Sequence, residues 1–267
     1  MPLVLTGGSA NAIERSESEK CYGVVVGVVT DINNSDGHYL LKVRYPHQDN
    51  GSESGGETSF WCRIATLWAH KGDDPDAAGW HCLPELKDEV LIAFEHGDFN
   101  KPFVLGSLYN SKCPPIWDNK NKDSGKNDTK KFTSRIGHEL IFNDNKDSKG
   151  WVELHTKAGH SLKLDDKDGN ETIKLIDKSG KLWMLFDTAA GKITLQNDQG
   201  DMLIQTKGEL KIEADKITAH SKSDTKFTSD ANFKVTASSN IEMTASSEGK
   251  FVSSSTMTIK GSQVNIN

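Results

Sequence analysis

All seven prolines of the 267-residue chain lie within the first 115 residues, and none follows them. Proline lacks the backbone N–H that a paired strand needs, so its absence indicates that residues 116–267 use their N–H groups in regular strand pairing. Cysteine is also missing beyond residue 113, and Cys21, Cys62, Cys82 and Cys113 form no C-x-x-C pair. We therefore expect free thiols in a chain made in a reducing compartment.

A surplus of basic residues is missing as well. The net charge is -6, with 12 Lys and Arg against 19 Asp and Glu in residues 1–129, and 20 against 19 in residues 130–267. Because neutralising many phosphates needs an excess of Lys and Arg, we expect no nucleic-acid partner. The first 20 residues contain neither a basic segment nor an apolar stretch long enough for a signal peptide or membrane span. We expect cytoplasmic assembly and no general secretion.

Helical periodicity is absent from the first 115 residues, which instead contain five short β-branched or aromatic runs. Turn formers separate the runs, and five strands over about 90 residues predict a small OB-type barrel. We expect an arm at residues 1–19, the barrel at 20–112, and a polar linker at 113–131. The five runs are YGVVVGVVTDI, HYLLKVRYP, SFWCRIATLW, DEVLIAFEHGD and PFVLGSLYN.

After the linker, apolar residues recur as i, i+2 pairs, which predict short strands with one apolar face. Pair starts lie ten or eleven residues apart at first and eight apart over residues 225–257, where Thr225 and Gly249 replace the first apolar residue. Such strands cannot bury their apolar faces alone, so they must stack. They could stack as a single-chain β-solenoid or as several chains that share one core. The pairs are Leu162/Leu164, Ile173/Leu175, Trp183/Leu185, Ile193/Leu195, Leu210/Ile212, Phe233/Val235, Ile241/Met243, Met257/Ile259 and Val264/Ile266.

The octad spacing favours three chains, because eight residues supply one side of a prism and a self-closing coil needs about twenty. We predict an all-β chain in which residues 132–267 form an intertwined triple-stranded β-helix within a homotrimer. Its shaft core would contain Leu210, Ile212, Phe233, Val235, Ile241, Met243, Met257 and Ile259.

The stretch WCRIATLWAHKG, residues 61–72, combines tryptophan, cysteine and histidine in a way that could mark a site. We expect Phe60, Trp61, Trp68 and Trp80 to fill the barrel interior, because a small barrel with few leucines needs large aromatics. Cys62, His70, His81 and Cys82 lack the paired spacing of a zinc site.

The other candidate ligands and carboxylates also favour structural roles. The DDKDGNE segment at 165–171 predicts a turn rather than a calcium loop, and His155, His160 and His220 form no His-x-His pair. An acidic stretch would lie on the outer face of a strand as a docking rim. We therefore predict no catalytic residue, no cofactor and no metal site. The acidic residues are Glu85, Asp88, Glu89, Glu95 and Asp98.

YGVVVGVVTDINN, LKVRYP, WCRIATLWAHKG and GWHCLPELKDEVLIAFEHGDFNKPFVLGSLYN, followed by the octads, resemble the OB-fold and β-helix part of contractile-tail spikes. That family includes phage baseplate spikes, valine-glycine-repeat proteins of type VI secretion and spikes of extracellular injection systems. The resemblance covers residues 20–112 nearly throughout and 130–267 as a repeat type. We expect the N-terminal hub region of type VI spikes to be a separate polypeptide here, and we expect no lysozyme domain of the kind that some phage spikes carry between barrel and shaft.

The resemblance implies a homotrimeric, non-enzymatic spike that docks on a separate hub protein at its barrel end. It also implies a conical tip protein of the proline-alanine-alanine-arginine repeat type, bound at Val264, Asn265, Ile266 and Asn267. Sheath contraction would drive the assembly through a target envelope, with only transient contact with the target membrane, and the chain would be delivered outside the cell with the particle. Two alternatives are a cell-wall hydrolase and an OB protein that binds oligonucleotides or sugars.

Overall fold

A computed structural model describes residues 20–46, 60–72, 77–116 and 127–266 of the chain. The predicted arm at 1–19, most of the predicted linker and Asn267 lie outside these residues. The described strands confirm the all-β class. By its contacts, the chain divides into two compact units, residues 1–203 and 204–267. Within unit 1, we describe a barrel and a separate sheet.

The barrel contains five strands that correspond to the five predicted runs. They close in the order β1-β2-β3-β7-β6, with all pairs antiparallel except the parallel pair β3-β7. This closed five-stranded barrel agrees with the predicted OB fold. Its strands are β1 Val24–Asp31, β2 Leu40–Arg44, β3 Cys62–Ile64, β6 Glu89–Phe94 and β7 Pro102–Leu108.

The barrel core is built from alternate residues of these strands, because successive side chains point to opposite faces. On β6 every second residue is buried, from Val90 through Ile92 to Phe94. Phe94, Phe99 and Tyr45 form an aromatic cluster with ring centroids 5.0–6.1 Å apart. The core consists of Val29, Leu41, Val43, Tyr45, Cys62, Val90, Ile92, Phe94 and Val104.

The prediction that the tryptophan cluster fills this interior is wrong. Trp68 and Trp80 are 57% and 52% exposed, and Phe60 is 43% exposed. Trp68 and Trp80 flank a separate hairpin, β4 Ala69–Lys71 with β5 Ala77–Gly79, and are joined by a backbone hydrogen bond of 2.8 Å. Aliphatic residues and the Tyr45 cluster already fill the small barrel, so these large aromatics remain outside it.

Gly27 lies inside the barrel wall, where a side chain has no room. A Cβ at this position would lie 2.6 Å from Ile92 Cδ1 and 3.2 Å from Val43 Cβ. We therefore expect Gly27→Ala to lower the free energy of unfolding by about 1–3 kcal/mol, measured by guanidinium titration. Gly106→Ala on β7 is the matched control, because its Cβ would meet nothing within 4 Å. Equal losses in both variants would contradict the steric explanation.

Residues 129–197 form a seven-stranded antiparallel meander, β8 to β14 in chain order. Each strand pairs with its sequence neighbours in the same chain, whereas the sequence analysis placed strands of three different chains next to one another. The backbone hydrogen bonds between strands of residues 129–197 therefore form within one chain, and a single chain supplies the whole sheet. The strands are β8 Thr129–Thr133, β9 Glu139–Asn143, β10 Trp151–His155, β11 Ser161–Asp165, β12 Thr172–Ile176, β13 Leu182–Asp187 and β14 Lys192–Asn197.

Unit 2 is extended and has no intrachain ladder across its described residues 204–266. Bends nonetheless recur about every eight residues, near 207, 215, 223, 231, 239, 247, 255 and 262. The straight segments between the bends contain the i, i+2 apolar pairs. The bend period thus coincides with the octad period in the sequence. The division of the chain into arm, barrel, linker and shaft stays a prediction.

Candidate functional site: an apolar sheet face and an exposed repeat

The seven-stranded sheet has one face that is almost entirely apolar. Directly opposed residues of antiparallel strands lie on the same face, and the registers Leu154↔Leu162, Leu162↔Leu175 and Leu175↔Met184 extend one apolar row across four strands. Only Lys130 and Asn197 interrupt the apolar character. The apolar members of this face are Phe132, Leu140, Phe142, Val152, Leu154, Leu162, Leu164, Ile173, Leu175, Leu182, Met184, Phe186, Ile193 and Leu195.

In the single chain this apolar face is open to solvent. Leu175 is 55% exposed, Leu154 is 54% exposed and Ile193 is 65% exposed. Monomeric soluble proteins rarely expose a contiguous apolar surface that extends over seven strands. Such surfaces usually mark sites of association with another protein or a membrane. The face therefore requires a cover, and we call it the apolar face below.

The opposite face of the sheet is mostly polar and contains paired charges, although it also has five apolar residues: Ile141, Trp151, Ile176, Trp183 and Leu185. Lys131 forms an ion pair with Glu139, and His155 Nε2 lies 3.6 Å from the same carboxylate. Lys163 contacts Asp165 at 2.7 Å and lies over the ring of Trp151 at 4.9 Å. The Lys131 hydrogen bond holds the pKa of Glu139 below its usual range. Similarly, the Lys163 hydrogen bond lowers the pKa of Asp165. This face is suited to water.

The pairing register of β12 with β13 shows that one predicted apolar pair, Trp183/Leu185, does not lie on the apolar face. Trp183 and Leu185 oppose Ile176 and Lys174, so this pair lies on the polar face. The apolar-face residues of β13 are instead Leu182, Met184 and Phe186. In the sequence LWMLFD both faces of this strand read as apolar, and only the pairing register separates them.

The predicted shaft-core residues all lie in unit 2, and all of them are exposed in the single chain. The extremes are Met257 at 49% and Met243 at 70%, and Phe233 is 68% exposed. Phe227 and Phe233, from successive octads, stack with ring centroids 6.2 Å apart. Because no described segment of the chain buries these residues, their role as a shared core stays a prediction.

Serine side chains shape several bends of the octad repeat. Ser229 Oγ accepts the N–H of Ala231 at 3.4 Å and donates to the carbonyl of Asn232 at 3.1 Å. Ser221 and Ser253 form the same two contacts in their own octads. Such side-chain hydrogen bonds stabilise turns without a strand partner. Contacts within each octad therefore stabilise the bends, whereas burial of the apolar pairs requires contacts from outside the octad.

The proposed tip-binding residues lie at the end of the described chain. Val264 is 48% exposed and Ile266 is 85% exposed. Asn265 is also exposed, whereas Asn267 lies outside the described residues. The prediction of a tip site at these four positions stays untested.

The residues with possible chemistry are not assembled into a reactive centre. The buried Cys62 thiol donates to the Phe60 carbonyl at 3.4 Å, while Cys82 is exposed. Among the residues described, no group of three or more His, Cys, Asp or Glu could hold a metal ion. The same part of the chain contains no helix that is long and apolar enough to cross a membrane.

The acidic stretch of the barrel borders an open cleft of about 880 Å³, which also touches the turn after β8. Glu85 accepts a hydrogen bond from Arg135 at 3.2 Å, and Asp88 Oδ2 accepts the N–H of Glu85 at 2.9 Å. Both carboxylates thus make structural contacts, one of which links the barrel to the sheet.

Asp177 organises the turn between β12 and β13, a role that the sequence analysis missed. Its carboxylate accepts the N–H groups of Ser179 at 2.9 Å, Lys181 at 3.1 Å and Leu182 at 3.0 Å. The hydrogen bonds from Ser179, Leu182 and Lys181 hold the pKa of Asp177 well below its usual range. The sequence signal is an Asp three residues before Gly180, whose φ of 74° suits a glycine.

We expect the contribution of Asp177 to stability to depend on pH. Because folding lowers its pKa, the stabilisation is full above the unfolded carboxyl value of about 4 and is lost as pH falls further. Asp177→Asn should therefore lower the melting temperature at pH 7, with a difference from wild type that shrinks toward pH 3. Asp201→Asn, which removes the same charge beyond β14, is the control. A pH-independent difference would contradict this role.

Comparison with known proteins agrees with the barrel. Residues 25–109 match the type VI secretion system/phage-baseplate injector OB domain. The type VI secretion system spike protein VgrG1c of Pseudomonas aeruginosa is 26% identical over 162 residues, which cover 58% of this chain and 21% of that relative. Spike protein VgrG5 of the same species is 32% identical over 89 residues, 33% of this chain and 10% of the relative.

A third relative is described as a toxin. The actin cross-linking toxin VgrG1 of Vibrio cholerae is 25% identical over 130 residues, which cover 44% of this chain and 11% of the relative. The chain therefore spans about a fifth or less of the length of these relatives. The resemblance to spike proteins is confirmed for the barrel and extends beyond it, and the similarity does not reach most of the relatives' length.

Proposed function

We propose that this chain, which carries an injector OB domain of the type VI secretion and phage-baseplate kind, is the central spike of a contractile injection machine and works as a homotrimer. The observation that carries the proposal is the uncovered apolar face of the sheet, together with the exposed octads of unit 2. Each requires a cover that the described chain does not supply. Three copies around one axis would cover both with the same sequence.

Symmetry explains why copies of the same chain suit this role. Three sheets turned inward around a threefold axis would bury their apolar faces in one shared core and leave the polar faces in water. In unit 2, one i, i+2 pair from each chain would close each layer of the prism. The extended octads then gain interchain ladders in place of the intrachain pairs that they lack. Homo-oligomers with closed symmetry are the commonest way to satisfy such a surface.

The mechanism is mechanical. A rod must transmit the force of sheath contraction, so it has to resist unfolding along its axis. To unfold such a trimer, many interchain hydrogen bonds must break at the same time as the shared core is exposed to water. Unfolding is therefore slow. This role needs no catalytic group, and no catalytic domain is identified in the chain.

The ends of the spike would bind separate proteins. At the barrel end, a hub protein would bind exposed apolar residues such as Leu67, which is 87% exposed, and the neighbouring Trp68 and Trp80. At the other end, a tip protein would cover Val264 and Ile266. Assembly would take place in the cytoplasm, with delivery outside the cell as part of the particle and passage through the target envelope during contraction.

The test of this function is whether export depends on contraction. An epitope tag placed before residue 20 would report the chain in sheared particles and in the medium. We expect the chain to cofractionate with sheath and tube in producing cells, and to be lost from the medium when the sheath gene is deleted. Equal export with and without the sheath would overturn the proposal.

A hydrolase or an oligosaccharide-binding OB protein is the alternative class. The cleft beside Glu85 and Asp88 is the site such activities would use. Turnover of purified cell wall by the trimer, abolished by Glu85→Gln together with Asp88→Asn, would favour this alternative. We expect no turnover, because both carboxylates are engaged in structural hydrogen bonds.

A further inference from the structure

Three turns lie along one edge of the seven-stranded sheet and share one sequence pattern. They are SRIGH at 134–138, TKAGH at 156–160 and DKSGK at 177–181. In each, the first side chain accepts the N–H of the fifth residue, at 3.0, 3.1 and 3.1 Å in chain order. The glycine at the fourth position has a positive φ in all three. We call these three turns the cationic row, because their second residue is always Arg or Lys.

Histidine side chains hold the cationic row in line. The Nδ1 atom of His138 accepts the N–H of Lys157 at 3.4 Å, and that of His160 accepts the N–H of Lys178 at 3.2 Å. Each turn is thus tied to the next one along the edge. Arg135 is 74% exposed, and Lys157 and Lys178 are exposed as well. The row therefore presents its charges at fixed spacing.

The opposite edge of the sheet consists of the turns at 144–149, 166–171 and 188–191, which we call the anionic row. It contains five Asp and Glu against three Lys, whereas the cationic row contains four Arg and Lys against one Asp. The acidity is concentrated in the middle turn, DKDGNE. Lys149 pairs with Asp168 along this row, while Asp166 is exposed.

Threefold symmetry brings the two rows together. In a closed ring of three identical chains each contact joins two different surfaces of the chain. If three sheets enclose one core, every corner of the prism therefore places the cationic row of one chain beside the anionic row of the next. Copies related by rotation lie at the same height, and turns alternate between the two edges at each strand step of about 4.8 Å. The turns at a corner would then interdigitate.

The alternation matches the charges. In chain order the turn 166–171 lies between the turns 156–160 and 177–181, one strand step from each. At a corner, the acidic turn of one chain would therefore be flanked above and below by Lys157 and Lys178 of its neighbour. A shift of the chains along the axis would lose this match.

We propose that the cationic and anionic turn rows of adjacent chains interlock at the three corners of the trimer and set the axial register of the chains. This proposal rests on the proposed trimeric spike, and its partner is a second copy of this chain. The apolar face supplies most of the association energy but is uniform along the sheet, so it discriminates poorly between registers. Charge complementarity is the usual source of such discrimination.

Charge reversal of one row, and then of both, tests the proposal on the whole chain. The first variant is Lys157→Glu with Lys178→Glu, the second is Asp166→Lys with Glu171→Lys, and the third combines all four. Lys174→Glu, on the polar face away from both edges, is the control. The readout is the half-life of the trimer on heating at low salt, followed by light scattering. Circular dichroism before heating checks that each variant is folded.

We expect each single-row variant to lose the trimer about tenfold faster than wild type, because every corner then meets like charge. The combined variant should return to within about threefold of wild type, since complementarity is restored with the signs exchanged. The single-row effects should also shrink at about 0.5 M salt. Lys174→Glu should match wild type.

The outcomes separate this proposal from the proposed function. Suppose that all variants are trimers and that the trimer half-life of the combined variant is no longer than that of the less stable single-row variant. The corner pairing is then wrong, and the proposed trimer is unaffected. An effect of Lys174→Glu as large as that of the row reversals would likewise overturn it. A monomeric wild-type chain would overturn the proposed function and the corner pairing together.

Discussion

Leu175→Asp is expected to abolish the trimer. Leu175 lies in the middle of the apolar face, opposite Leu162 on one side and Met184 on the other. In a threefold assembly the substitution buries three carboxylates against apolar neighbours, and an unpaired buried charge costs several kcal/mol. In the single chain the same residue is 55% exposed, so the sheet itself should still fold.

Native mass spectrometry of the purified variant gives the readout, with Lys174→Asp as the matched control. Lys174 is the preceding residue on the same strand but belongs to the polar face. We expect monomers from Leu175→Asp and trimers from Lys174→Asp. If both variants remain trimeric, the apolar face is not the interface. If both variants dissociate, the loss of the trimer comes from a disturbed strand β12 and not from the apolar face.

Phe233→Ala should remove the resistance of the assembly to detergent. Phe233 is 68% exposed in the single chain and stacks on Phe227 of the preceding octad. Burial in a shared core of three chains would make each truncation cost about 3–5 kcal/mol, or about 9–15 kcal/mol for the trimer. We expect the wild type to migrate as a trimer in SDS without boiling, and Phe233→Ala to migrate as a monomer.

Lys234→Ala is the control for this second substitution, because it changes the neighbouring residue between the two apolar positions of the same octad. It should leave the SDS-resistant trimer intact. A Phe233→Ala variant as resistant as wild type would contradict the shared core of unit 2. Detergent sensitivity of the wild type itself would contradict the kinetic stability expected of the spike.

Much of the barrel could be predicted from the sequence. Five strand runs separated by turn formers match the five observed strands, because β-branched and aromatic residues with period-two burial encode a half-buried strand locally. The position of the tryptophans could not be predicted in the same way. Trp68 and Trp80 sit beside a hairpin outside the barrel, and their place depends on how much volume Tyr45 and Phe94 already fill. Volume in a core is a property of the whole fold.

The sheet shows the same limit. The apolar pairs of β11, β12 and β14 lie on the apolar face as their period predicts, yet Trp183 and Leu185 of β13 lie on the other face. A strand with large apolar residues on both sides has no unique face until its register is known. The sequence also did not reveal that residues 129–197 pair within one chain. Turn patterns with Gly137, Gly159 and Gly180 at the fourth position were the local signal for those hairpins.

The measurement that tests the central claim most directly is the solution mass of the wild-type chain, by light scattering coupled to size exclusion. The account predicts one species of three times the chain mass of 29.4 kDa, unchanged on dilution. A monomer of 29.4 kDa would contradict it, because the apolar face and the octads would then have no shared core.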